Sequence, residues 1–265
     1  MPVHLIVQYC NDPRPPRQAE YEECVRRNLD NPHVAAVHNL VEPATTVPES
    51  IRTHAKCREH PLPRWMTYRD AFDYANQKLA GEIVAIANLD IFLDPASPWG
   101  QVAPIVDAGI VLCLSRMEFA PDAPPFKDPG LNQFAFANSQ DAWVFRTPLD
   151  VPDCEFEIGE LGCDNAIAER IKRSGRMPVN LCDRFRIFHY DRARGKTFEN
   201  QHEVHAADRA NRPRRNPHRS GQYLVPNMDQ LRSVDEILNA LKVSDLQRYQ
   251  VICDVLSHFV KIDNP

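Results

Sequence analysis

The sequence predicts an α/β fold, and three observations carry the prediction. The opening run VHLIVQY (residues 3–9) is an apolar stretch of strand length, followed by EYEECVRRNL, in which Tyr21, Cys24, Val25 and Leu29 share one helical face. TYRDAFDYANQKL repeats apolar residues at Tyr68, Ala71, Phe72, Ala75 and Leu79, a helical stripe with Thr67 as its N-cap. EIVAIA (82–87) is continuously apolar rather than alternating, as expected of a central parallel strand covered on both faces.

The remaining elements follow in order. HVAAVHNLV (33–41) reads as a second strand, and a proline-containing stretch leads from it to the helix after Thr67. GIVLCLSR (109–116) and DAWVFRT (141–147) read as strands separated by a proline-rich loop. CDNAIAERIKRSG is a short helix closed by Gly175, and RFRIFHY (184–190) alternates like a half-exposed strand. Residues 191–220 hold eight Lys/Arg against four acids, with arginines beside prolines, which predicts a loop. Two amphipathic helices, around SVDEILNALK and DLQRYQVICDVLSHFVKI, close the chain. The organisation is thus one α/β domain over 1–225 and a helical extension over 226–265.

Composition narrows the function classes. With 43% hydrophobic and 25% charged residues, the chain is of ordinary globular type, and 23 prolines against 9 glycines imply stiffened loops. A net charge of −5 offers no global attraction for nucleic acid or an anionic membrane, so any bound anion must be caught locally. No apolar stretch approaches the ~18 residues of a membrane span, and MPVHLIVQYC lacks the features of a signal peptide. The expectation is a cytoplasmic protein. Eight cysteines without any C-x-x-C pair are read as reduced, mostly buried thiols.

The chemistry-bearing residues cluster where strands end. NLDIFLD begins at the carboxyl end of EIVAIA, where open α/β sheets place their ligand crevices. Hard divalent cations take one or two oxygen ligands from protein there and the rest from phosphates and water. Asn88 and Asp90 suit that demand, the other reading of Asp90 being a turn cap; Asp94, followed by Pro95, is either a further site residue or a helix cap. Asn88 cannot form an acyl-phosphate, which excludes a phosphatase-type nucleophile at the first position. His189 is either a core histidine or a ligand. Asp164, after Gly159 and Gly162, is either an N-cap or a general base facing a hydroxyl. The basic loop is either a solvated face or a cover for a diphosphate; a nucleic-acid tail would want interleaved aromatics.

Taken in order, VHLIVQYC, YRDAFDYAN running into GEIVAIANLDIFLD, then LSRMEF, SQDAWVFR, GELGCDN and FRIFHY resemble the compact bacterial and viral GT-A glycosyltransferases of the nucleotide-diphospho-sugar transferase superfamily. The resemblance covers roughly residues 1–225. It implies a Rossmann-like mixed sheet flanked by helices and an acidic D-x-D motif that binds Mn²⁺ or Mg²⁺ and orients a donor diphosphate. Asn88-Leu89-Asp90 looks like that motif with its first Asp replaced by Asn, leaving Asp90 as principal ligand. His189 stands where such enzymes supply a further metal ligand, and Asp164 where they place the acidic residue facing the acceptor. On the same basis Gln8 and Tyr9 would touch the donor base, and Arg64 and Arg69 the nucleotide or diphosphate. Arg116, Asp141 and Trp143 would shape the sugar and acceptor side, a place in the core being the other reading of Trp143.

The resulting expectation is transfer of a hexosyl or deoxyhexosyl group from a UDP- or GDP-linked donor to a glycan hydroxyl, as in polysaccharide biosynthesis. Two rivals remain. A sugar-nucleotide-binding protein without turnover is motivated by Asn88. A metal-dependent nucleotidyltransferase would want a glycine-rich loop after the first strand, where QYCNDPRPPRQ has none. The C-terminal helices fit a homodimer face, an acceptor platform or a contact with a membrane-bound partner.

Overall fold

Alternate residues of the central apolar runs enter two different cores. From Ile83–Ala87, the residues Ile83, Ala85 and Ala87 pack on one side of the sheet, and Val84 and Ile86 on the other. That is the arrangement expected of a strand covered by helices on both faces. The structure, a computed structural model, describes residues 1–126, 139–159, 162–193 and 223–225. The closing helices and nearly all of the basic loop lie outside the described residues.

The first half runs β1 (Val3–Tyr9), α1 (Pro15–Asp30), β2 (Val34–Val41), α2 (Glu49–Arg52), β3 (Cys57–Pro61), α3 (Tyr68–Lys78), β4 (Ile83–Ala87) and β5 (Ile91–Leu93). The second half runs α4 (Ala103–Asp107), β6 (Ile110–Leu114), β7 (Met117–Ala120), β8 (Ala123–Phe126), β9 (Ala142–Arg146), α5 (Cys163–Arg173), β10 (Met177–Val179) and β11 (Ile187–His189). Seven strands form the main sheet in the order β10-β6-β9-β4-β1-β2-β3. Only β9 runs against its neighbours β4 and β6, so the sheet is mixed. The Rossmann-like mixed sheet flanked by helices is therefore the fold the chain adopts.

Helices α1 and α4 contribute Val25, Leu29, Ile105 and Val106 to one core, while α3 and α5 contribute Phe72, Ala75, Ile167 and Ile171 to the other. Local signals explain these helices. Helix α3 opens on a capping box in which Thr67 and Asp70 exchange hydrogen bonds. Helix α1 starts at Pro15 and Pro16, five residues before the apolar stripe begins, because proline suits the first helical turn, where backbone N–H groups have no partner. Gly175, at φ +79°, follows the end of α5 in the left-handed conformation that a glycine adopts without penalty.

Trp143 of β9 has no exposed surface and meets the Tyr68 ring edge-on at 5.1 Å. Of the two roles the sequence leaves open for it, its burial matches the core one: the indole packs between β9 and α3. Its Nε1 has no hydrogen-bond partner among the described residues. Trp143→Ala is expected to cost about 3–5 kcal/mol in urea denaturation, and Trp143→Phe a small fraction of that, because no indole hydrogen bond is lost.

A second sheet, β5-β11-β7-β8, stands at the carboxyl end of β4. β5 is an edge strand of it, and α1 satisfies that edge with side chains. Asn28 donates to the Ile91 carbonyl at 2.9 Å and accepts from the Leu93 amide at 3.0 Å, and Asn31 donates to the Leu93 carbonyl at 2.9 Å. This small sheet brings the late strand β11 alongside the NLD segment. No helix among the described residues is long and apolar enough to cross a membrane.

Candidate metal and transfer site

Register alone brings Asp90 and His189 together. Antiparallel pairing sets His189 opposite Ile91, and the Tyr190 amide donates to the Asp90 carbonyl at 3.0 Å. Parallel pairing on the other side sets His189 beside Glu118 of β7. The imidazole is thus held from both nitrogens, Nε2 lying 3.2 Å from Asp90 Oδ2 and Nδ1 lying 2.9 Å from Glu118 Oε2. Burial favours the neutral ring, but Asp90 and the hydrogen bonds to Asp90 and Glu118 outweigh it and hold the pKa up at about 9. Glu118 moves the other way: burial opposes ionisation, yet His189 and Arg116 bring it down to about 2.

Asp191, two residues beyond His189, completes the cluster. One ligand atom from each of Asp90, His189 and Asp191 lies within 4.8 Å of the other two. Two carboxylates and an imidazole form a donor set suited to Mn²⁺ and acceptable to Mg²⁺. The imidazolium must release its proton before Nε2 can serve as a ligand. These residues therefore fit the cation implied by the sequence, with Asp191 as a member that strand alternation did not suggest.

On the other flank lies Arg17 of α1, whose side chain is fully buried. Its guanidinium pairs with Asp90, with Glu20 at 3.0 Å and with Asp191 at 3.0 Å, and donates to the Tyr190 carbonyl at 2.8 Å. Its pKa is raised: desolvation, the largest single effect, would lower it, and the charges of Asp90, Tyr21 and Asp191 with the Glu20 hydrogen bond together more than compensate. Glu20 also accepts from the amides of Arg192 and Ala193 at 2.8 Å each, fastening the chain just after Asp191.

From Glu118 the network continues to the predicted acceptor side. Arg116 donates to Glu118 at 3.0 Å and to both oxygens of Asp141 at 3.1 Å. Asn88 donates through Nδ2 to Asp141 Oδ1 at 3.0 Å, while its backbone amide donates to the Asp141 carbonyl at 3.1 Å. The side-chain bond gives a physical reason for the amide at this position of the motif. A carboxylate there would face that of Asp141 at hydrogen-bond distance. Asn88→Asp is expected to destabilise the protein by about 1–3 kcal/mol without tightening Mn²⁺ binding, as a thermal melt and a Mn²⁺ titration would show.

Asp164 closes the series. The N-cap of α5 is Gly162, at φ +81°, and no side chain caps that helix, so the capping role considered for Asp164 is not the one it has. Its carboxylate instead accepts from the Gln140 amide at 3.4 Å and from the Cys163 thiol at 3.1 Å. Desolvation and the nearby Asp141 charge push its pKa up to about 7. A carboxyl group so poised matches the range expected of a general base.

Other predicted residues stand apart from this network. Gln8 accepts from the Met66 amide at 3.2 Å, and the buried Tyr9 hydroxyl accepts from Gln18 at 3.0 Å, so both tie the end of β1 to its neighbours. The Leu89 side chain belongs to the hydrophobic core. Arg64 pairs with Asp70, the capping residue of α3, and Arg69 pairs with Glu155 at 3.0 Å and the Val151 carbonyl at 2.7 Å. Asp94 accepts from the Ala96 amide at 2.9 Å and pairs with Arg186 at 2.7 Å, shaping the turn that leads to Trp99. Arg17, Glu20, Glu118 and Asp191 were not singled out from the sequence.

The fold and this cluster define an α/β protein with a candidate cation site at the carboxyl end of its central strand. No protein-family model matches the chain, and no curated protein matches it at significant similarity. Among solved structures it is similar to a mannosyltransferase from Pyrobaculum calidifontis in complex with GDP-Man and Mn²⁺, at 16% identity and a TM-score of 0.48, over 99% of this chain and 76% of that one. It is also similar to a protein from Desulfovibrio desulfuricans described as a nucleotide-diphospho-sugar transferase, at 14% identity and a TM-score of 0.41, over 78% and 96% of the two chains. A UTP-bound UGPase from Acinetobacter baumannii matches at 8% identity and a TM-score of 0.40, over 72% and 87%. At such identities and TM-scores these likenesses do not decide the reaction.

Proposed function

We propose that the chain is a cation-dependent glycosyltransferase that moves a sugar from a nucleotide-diphosphate donor to an acceptor hydroxyl. The observation that carries this reading is a pair of poles: hydrogen bonds run from Asp90 through His189, Glu118 and Arg116 to Asp141, and the Asp141 charge acts on Asp164. At one end Asp90, His189 and Asp191 converge, and at the other stands Asp164 with its raised pKa. A bound Mn²⁺ or Mg²⁺ would supply positive charge for the leaving diphosphate, held by Asp90, His189 and Asp191. Asp164 would accept the proton of the attacking hydroxyl, the step a base contributes to an inverting displacement. Arg116 fixes Asp141 and Glu118, and through Glu118 the orientation of the His189 ring.

Residues 10–14, CNDPR, lead from β1 into α1 without a glycine, which favours glycosyl transfer over nucleotidyl transfer. The test is incubation with Mn²⁺, a panel of UDP- and GDP-sugars and hydroxyl acceptors. Acceptor-dependent release of nucleoside diphosphate is expected. Release of pyrophosphate from a nucleoside triphosphate and a sugar phosphate would overturn the reading, as would donor binding without turnover across the panel.

A further inference from the structure

Arg17 is a cation already seated against the candidate cation site. Its guanidinium is fully buried, lies 4.4 Å from the centre of the Tyr21 ring and engages three carboxylates from separate parts of the chain: Glu20 on its own helix, Asp90 after β4 and Asp191 after β11. Two of these are the carboxylates that would ligate a divalent ion. Bringing their ligand atoms within 4.8 Å of each other in a buried place requires positive charge, and among the described residues Arg17 and His189 contact Asp90 there.

From this geometry we infer that Arg17 is a positioning residue for the cation site, an internal counter-ion that holds Asp90 and Asp191 in ligating position and lowers their affinity for a free divalent ion. The inference rests on the proposed metal site and adds a regulation to it. A carboxylate oxygen already committed to a guanidinium is a poorer ligand, and the coupling between two cations sharing one anionic cluster is unfavourable. By linkage, whatever Arg17 subtracts from ion affinity the ion subtracts from the hold of Arg17. The ion is then retained when a nucleoside diphosphate adds phosphate oxygens as further ligands, and free Mn²⁺ is held weakly. A donor-dependent metal site follows, built from charge balance rather than from a moving part.

The experiment is Mn²⁺ titration of the full chain by calorimetry and by electron paramagnetic resonance at pH 8, with and without UDP or GDP. Wild type, Arg17→Met and Arg17→Lys are compared. Arg17→Met is expected to bind Mn²⁺ alone more tightly than wild type by about 5- to 150-fold, the usual span of a coupling between sites. Its melting temperature without ion should fall, and Mn²⁺ should restore it. Arg17→Lys keeps the charge but engages fewer oxygens, so a smaller gain in the same direction is expected. If Arg17→Met does not fold even with Mn²⁺, Arg17→Lys decides the matter. Unchanged Mn²⁺ affinity in the folded variants overturns the inference and leaves the metal site standing. Absence of Mn²⁺ binding in wild type and variants, even with either diphosphate, removes the metal site and the inference together.

Discussion

Asp90→Asn is expected to lower sugar transfer by about 10²- to 10³-fold, the loss typical of removing one group that stabilises developing charge, and to abolish measurable Mn²⁺ binding. The substitution keeps the shape of the side chain but removes the charge facing both Arg17 and His189. A buried guanidinium then loses one of the three carboxylates it engages among the described residues, and the imidazole loses the interaction that most raises its pKa. Breaking a buried ion pair from one side costs about 3–5 kcal/mol when nothing replaces it; Glu20 and Asp191 remain, so a smaller loss of stability is expected. Circular dichroism and a thermal melt separate the two effects. A folded Asp90→Asn protein with transfer intact would show that this carboxylate is not the anchor of the cation, and the proposed function would fall with it.

The part of this site legible in the sequence was the part announced by local pattern. EIVAIA was readable as a doubly covered strand because it is apolar without alternation, and the carboxyl end of such a strand is where α/β proteins bind ligands. Asp90 followed from that, and so did the helix after Thr67. His189 was readable as a residue on an alternating strand, but its partners depend on two different registers, with β5 and with β7, that join segments about 70 to 100 positions apart in the chain. Arg17 was invisible for another reason. It lies in PRPPRQ, ahead of the apolar stripe of α1, where two arginines among prolines look like solvated surface. Glu118 sits on β7, half-buried and of mixed character, without periodicity to mark it. Charged residues whose burial, whole or partial, depends on distant partners leave no trace in hydrophobic patterning, and four members of this network are of that kind.

Asp164→Asn is the second change with a large expected effect, and pH makes it diagnostic. In the folded protein the Asp164 pKa is raised to about 7, against the 3.8 of an unhindered carboxyl, by desolvation and by the neighbouring Asp141. A raised carboxyl pKa means that the folded state binds its proton more tightly than the unfolded chain does. Stability from this group is therefore greatest at low pH and declines as pH rises from the ordinary carboxylate range to about 7, above which the ionised group is a constant burden. Activity should show the opposite slope, because a base must be deprotonated: transfer is expected to rise with pH through an apparent pKa near 7 in wild type. Asp164→Asn keeps an oxygen acceptor for the Gln140 amide and should be at least as stable as wild type at pH 8, with transfer lowered by about 10²- to 10⁴-fold and the rise with pH gone. Mn²⁺ and donor binding should be unchanged, since Asp164 touches none of the three residues of the cation cluster. A wild-type profile flat between pH 5.5 and 8.5, or an Asp164→Asn protein that transfers normally, would take the base from this residue. A variant that loses donor binding along with turnover would assign Asp164 to the donor side instead.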